Sequence, residues 1–238
     1  MINFDFAPPL VIYLFYNILT FTTIVAVFKK KDFLIRNERL VLFSAALFFI
    51  YSQFIRYGLG AINGTFSFKE DLPFYVCRVS SLIFFLYLTT RHPRLHNALY
   101  FIAATSIIGV LVPSGPLENI PTLHETYFID HYILSVLPFF LLVTRDFRPD
   151  VRKAFIYALL FLAVFIVAIP LNRLYGTDYF HLESQNIATD IIPGMHPLVF
   201  AFAFAAAMAL FFALYAKIAT VYHDTQAQRT KTRETFSP

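Results

Sequence analysis

The chain has 238 residues, of which 58% are hydrophobic and only 14% charged, with 30 Phe and no Trp. A mean hydropathy of +0.63 puts more apolar surface on it than a water-soluble core of this length can bury, so a soluble globular enzyme is excluded and lipid is the expected solvent. The net charge of +4 would suggest nucleic acid in a soluble protein. Here it is accounted for by loops that set topology and attract anionic head groups, and nucleic-acid binding is not expected.

In chain order the expected spans are Pro8 to Phe28, Leu40 to Leu59, Leu72 to Thr90, Ala98 to Pro113, Tyr127 to Thr144, Ala154 to Leu171 and Leu198 to Ala216. Each run is rich in Leu, Phe, Ala and Ile and lacks the period-two alternation of a barrel strand, so each reads as a helix that satisfies its own backbone in hydrocarbon. The first run has no basic segment before it and no small-residue cleavage site, and it reads as a retained span. The fourth is short, and Gly109 and Pro113 are expected to bend or shorten it. Except for Arg56, Lys69, Arg78 and Arg173, all 19 Lys and Arg residues fall in four patches, Lys29 to Arg39, Arg91 to Arg94, Arg145 to Lys153 and Lys217 to Arg233. These alternate with linkers poor in basic residues. The positive-inside rule then predicts a seven-helix bundle with the N-terminus outside and the C-terminus cytoplasmic. The expected division is a transmembrane domain over 1–222 and a polar, disordered cytoplasmic tail over 223–238. The location predicted is a cell membrane, crossed several times.

The outer linkers are Gly60 to Asp71, Ser114 to Thr126 and Asn172 to Pro197. The last is the longest, polar and aromatic, and is expected to form a structured lid. One cysteine excludes an intramolecular disulfide.

Ionisable residues inside spans are costly in hydrocarbon and mark function. Cys77 lies five residues beyond Leu72 and His131 four beyond Tyr127, which places both roughly 6 to 8 Å below the outer surface. Arg56, Arg78, Asp130, Arg173 and His196 fall in or beside the same layer. A thiol, an imidazole, a carboxylate and several guanidinium groups suit nucleophilic chemistry on an anionic lipid, with Cys77 as nucleophile, His131 as base and Asp130 or Asp178 as orienter. The substrate-contacting set is then Arg56, Arg78, Arg173, Asn172, Asp178, Tyr179 and His196. Each also has a plain reading: a lone buried cysteine is commonly inert, arginines snorkel to head groups, and a histidine beside Tyr132 and Ser135 can be a packing residue. Burial opposes thiolate formation, so the site has to be polar and wetted for the arginines to win.

Three blocks, Leu72-Pro73-Phe74-Tyr75-Val76-Cys77-Arg78-Val79-Ser80, Ile129-Asp130-His131-Tyr132 and Asn172-Arg173-Leu174-Tyr175-Gly176-Thr177-Asp178-Tyr179-Phe180-His181-Leu182, resemble the bacterial YwaF-like integral membrane proteins, which are related to the eukaryotic transmembrane-protein-164 group. The resemblance runs from about the second span to the seventh. Tyr75, Asp178 and Gly194-Met195-His196-Pro197 depart from the forms usual in that family. What it implies is a bacterial plasma-membrane protein and a cysteine-dependent acyltransferase that moves fatty acyl chains between phospholipids through a thioester. No cofactor and no metal are expected.

Other readings have their own requirements. A zinc-dependent lipid hydrolase needs three ligands, which Cys77, Asp130, His131 and His196 could supply, but no second histidine follows His196 at helical spacing. A transporter is expected to carry midplane charges and repeat symmetry, neither of which is visible. A noncatalytic protein would hold anionic phospholipid in the same basic pocket. A retinal receptor requires a mid-span lysine in the seventh helix, whereas Lys217 sits at its end.

Overall fold

The computed structural model describes residues 9–64, 66, 76–111, 120–145, 147–177, 179 and 195–235. They are helical almost throughout: α1 (Pro9–Lys29), α2 (Lys31–Arg36), α3 (Glu38–Gln53), α4 (Val76–Thr90), α5 (Arg94–Leu111), α6 (Ile120–Thr144), α7 (Val151–Tyr175) and α8 (Pro197–Thr235). Among the described residues six helices are long and apolar enough to cross a membrane, and α4 is a seventh, shorter apolar helix of 15 residues. The chain is therefore an all-α, multi-pass membrane protein, and over the described residues each expected span overlaps a helix. The short helix α2 lies within the first basic patch.

Burial identifies the centre of the bundle. In α6, 72% of the spanning stretch is buried, against 11% in α1 and 33% in α7. One core gathers Tyr100, Phe101, Leu142, Phe165, Phe212 and their neighbours from α1, α5, α6, α7 and α8. A second joins Leu42, Phe49, Phe84, Leu99, Leu134 and Leu141 from α3 to α6. Exposed apolar side chains such as Phe15, Ile18, Phe48, Leu159 and Leu210 are the expected lipid-facing surface.

Lipid tails are as apolar as Leu, so helices in a bilayer are held by packing and by interhelical hydrogen bonds of about 0.6 kcal/mol each. The end of α5 shows how they are used here. Tyr127 donates to the carbonyl of Gly109 at 2.9 Å, Asn17 donates to Val110 at 3.2 Å, and Tyr13 donates to Leu111. Three consecutive carbonyls that the helix end leaves without an intrahelical partner are thereby satisfied from α1 and α6. Below them, Thr23 and Tyr132 share a hydroxyl hydrogen bond of 3.0 Å between α1 and α6.

Two helix ends depart from expectation in register. Past Gln53, α3 continues as a π-helical turn over Phe54–Leu59 and a last turn over Gly60–Ile62. At the other end of the chain, α8 runs on from Ala216 to Thr235, through most of the segment expected as a tail. At about 1.5 Å per residue its 39 residues span about 58 Å, well beyond a hydrocarbon core of about 30 Å.

Candidate functional site

The π turn re-aims the end of α3. A π segment inserts one residue per turn, shifts the phase of the side chains after it, and is common at functional sites. Here it carries Arg56, and the residues just before it, Ser52 and Gln53, face α6. Ser52 Oγ donates to Asp130 Oδ1 at 2.6 Å and Gln53 Nε2 donates to Oδ2 at 2.8 Å. Both oxygens of a buried carboxylate are thus held from one neighbouring helix.

Two guanidinium groups complete this layer. Arg56 lies within electrostatic reach of Cys77, Asp130 and His131, and Arg78 within reach of Cys77, Asp130 and Tyr179. Asp130 also acts on the Cys77 thiol. Arg78 is buried and Arg56 half-buried, with the Arg56 guanidinium 5.9 Å from the centre of the Tyr57 ring. Cys77 occupies the second residue of α4, partly buried against the second core, and its carbonyl accepts from Ser81 Oγ at 2.7 Å.

His131 follows Asp130 in sequence, but the helical turn of about 100° per residue directs it to another neighbour. Nδ1 donates to the Tyr127 carbonyl at 2.8 Å, because a carbonyl only accepts, and the ring stacks on Tyr127 with centroids 3.9 Å apart. That fixes the neutral tautomer with its lone pair on Nε2. A Cβ added at Gly109 would stand 2.5 Å from His131 Cδ2 and 2.7 Å from Nε2, so the imidazole occupies the space that glycine leaves on α5. No hydrogen bond joins Cys77 to His131, and Arg56 is the group that reaches both electrostatically.

The remaining candidates hold different places. Asn172 is buried and uses both ends of its amide on the turn after α7: Oδ1 accepts from Tyr179 N at 2.8 Å and Thr177 Oγ1 at 2.9 Å, and Nδ2 donates to the Tyr179 carbonyl at 3.1 Å. That turn needs Gly176, whose φ of 60° is left-handed. The consequence is a buried Tyr179 within electrostatic reach of Arg78. Arg173 is exposed on α7, and His196 is exposed at the start of α8, where Nδ1 accepts from Leu198 N at 3.3 Å. Asp178 and most of the expected lid lie outside the described residues. Among the described residues no three His, Cys, Asp or Glu side chains converge as a metal-binding group.

Ser52, Gln53, Tyr127 and Gly109 were not in the set drawn from sequence. The adjacent polar pair Ser52-Gln53, one turn before Arg56 in an otherwise apolar run, was the available signal for the first two.

The arrangement makes a stability prediction. Asp130→Ala leaves the Ser52 and Gln53 donors without their acceptor and removes the carboxylate that lies within electrostatic reach of Arg56 and Arg78, and should destabilise the fold by about 3 kcal/mol. Asp130→Asn keeps the shape and one acceptor and should lose less. Thermal unfolding in detergent measures both; equal stability of Asp130→Ala and the parent would refute the network.

The sequence profile of the TMEM164 family matches residues 6–216. An uncharacterized protein of Treponema pallidum (strain Nichols) is 26% identical over 161 residues, covering 66% of this chain and 67% of that protein. No solved structure matches.

Proposed function

Because the chain belongs to the TMEM164 family, we propose that it is a membrane-embedded lipid acyltransferase or acyl hydrolase in which Cys77 is the nucleophile. The observation that carries this reading is that Arg56 and Arg78 both lie within electrostatic reach of the Cys77 thiol, in a polar layer otherwise surrounded by hydrocarbon. An anionic phospholipid presents a phosphate with its ester bonds a short distance below. A pair of guanidinium groups within electrostatic reach of a thiol suits both the phosphate and the ester.

In the proposed reaction the thiol gives its proton to a base, and the thiolate attacks the acyl carbonyl of a phospholipid. The resulting oxyanion lies in the field of Arg56 and Arg78. Collapse breaks the ester C–O bond, the proton passes to the departing lysolipid hydroxyl, and Cys77 carries the acyl group as a thioester. A second lysolipid hydroxyl completes transfer, or water completes hydrolysis, and the thiol is restored. The proposed base is His131, supported by the fixed tautomer that leaves Nε2 free of a proton. Asp130, clamped by Ser52 and Gln53, supplies a carboxylate within electrostatic reach of both arginines. The active layer is proposed to face outward with the N-terminus outside, which the distribution of basic patches supports. A bacterial plasma membrane is the proposed setting.

Lipid clamping is testable apart from catalysis. Arg56→Ala should remove a charge-assisted contact of about 1.5 to 3 kcal/mol, weakening anionic phospholipid binding about tenfold to a hundredfold with little effect on a zwitterionic lipid. Titration of phosphatidylglycerol into nanodisc-embedded protein reads this; unchanged affinity would remove Arg56 from the clamp.

A further inference from the structure

A second site lies at the opposite end of the bundle from Cys77. The end of α1 and the extension of α8 flank an open surface cleft of about 440 Å³ lined by Phe28, Lys29, Tyr222, Thr225 and Gln226. Its volume falls in the range of about 300 to 1,000 Å³ usual for small-ligand sites. Its chemistry is two-sided. Phe28 and Tyr222 pack edge to face with centroids 5.1 Å apart, and Phe28 also meets Phe139 at 5.8 Å, so the floor is aromatic and anchored in the core. The rim is an ammonium, an amide and a hydroxyl. Thr225 Oγ1 donates backward to the Val221 carbonyl at 2.8 Å, which leaves the oxygen available as an acceptor.

The wall is fixed in place. His223, beside Tyr222, bonds through Nε2 to the Phe147 carbonyl at 2.9 Å and ties this part of α8 to the connection between α6 and α7. The cleft also sits on a boundary. Phe28 is the last apolar residue of the first span, and Lys29, Lys30 and Lys31 follow it, so floor and rim straddle the change from acyl chain to head group. Asp224 and Asp32 are the nearby acidic residues in sequence, and neither lines the cleft.

We propose that this cleft binds one anionic glycerophospholipid from the leaflet that faces the basic connections, with its phosphate at Lys29 and its glycerol over Phe28 and Tyr222. The occupant follows from charge and depth together: a soluble anion has no use for the aromatic floor, and a zwitterionic lipid leaves its cationic group beside Lys29, Lys30 and Lys31. The site is separate from the Cys77 layer and does not depend on any reaction there.

The experiment uses the full chain in phosphatidylcholine nanodiscs with phosphatidylglycerol titrated in, read by native mass spectrometry. Lys29→Gln removes the charge and keeps the cleft, and should weaken phosphatidylglycerol retention about fivefold. Thr225→Trp fills the cleft and keeps the charge, and should abolish saturable binding at this site. Arg148→Gln, an exposed cation on the α6 to α7 connection that does not line the cleft, should leave binding unchanged. Equal weakening by Lys29→Gln and Arg148→Gln with no effect of Thr225→Trp would mean diffuse surface attraction and overturn the proposal. Competition by inorganic phosphate at the same concentration as the lipid, or equal retention of phosphatidylcholine, would overturn it as well.

Discussion

Cys77→Ala and Cys77→Ser should each lose acyl exchange between phospholipids by about a thousandfold or more while retaining fold and lipid affinity. A serine hydroxyl ionises far above neutral pH, so shape is preserved and nucleophile is not. Cys77 sits at the second residue of α4 and its side chain is only partly buried, so neither change should open a large cavity. Radiolabelled acyl transfer in vesicles, beside an unfolding curve for each variant, measures the two effects separately. Full activity of folded Cys77→Ala would assign the polar layer to lipid binding without chemistry.

The second large effect is expected at Gly109, which contacts no substrate in this account. A methyl group there would stand within 2.7 Å of two His131 ring atoms, far inside van der Waals contact, and Tyr127 at 3.3 Å blocks one direction of retreat. Overpacking of this kind costs about 1 to 3 kcal/mol. If His131 is the base, Gly109→Ala should also lower kcat about a hundredfold, as expected for a displacement of about 1 Å, with KM little changed. Gly109→Ala with lowered stability but unaltered kcat would limit His131 to packing.

How much of this was visible in the sequence depends on what set each feature. The spans were legible because hydrocarbon demands long apolar runs, and Arg91, Arg145 and Lys29 mark their ends. Cys77, Asp130, Arg56 and Arg78 were legible as one layer because depth follows from residue count along a helix. Rotation was not. Whether Asp130 or His131 faces α3 depends on which helices surround α6, and the phase of Arg56 depends on a π turn that its residues do not announce. For the same reason Asn172 read as a polar candidate for substrate, whereas its amide is engaged by Thr177 and Tyr179 in the turn that follows α7. Caps such as Tyr13 and Asn17 on the end of α5 connect residues more than 90 positions apart, and no local pattern encodes them.

The most direct measurement of the central claim is intact-protein mass spectrometry of the purified chain after incubation with phospholipid, before and after neutral hydroxylamine. The account predicts an added fatty acyl mass on the parent protein that maps to Cys77 and is removed by hydroxylamine, as a thioester is, and no such labile mass on Cys77→Ala. Repeated absence of any acyl adduct on folded, lipid-binding protein would contradict it.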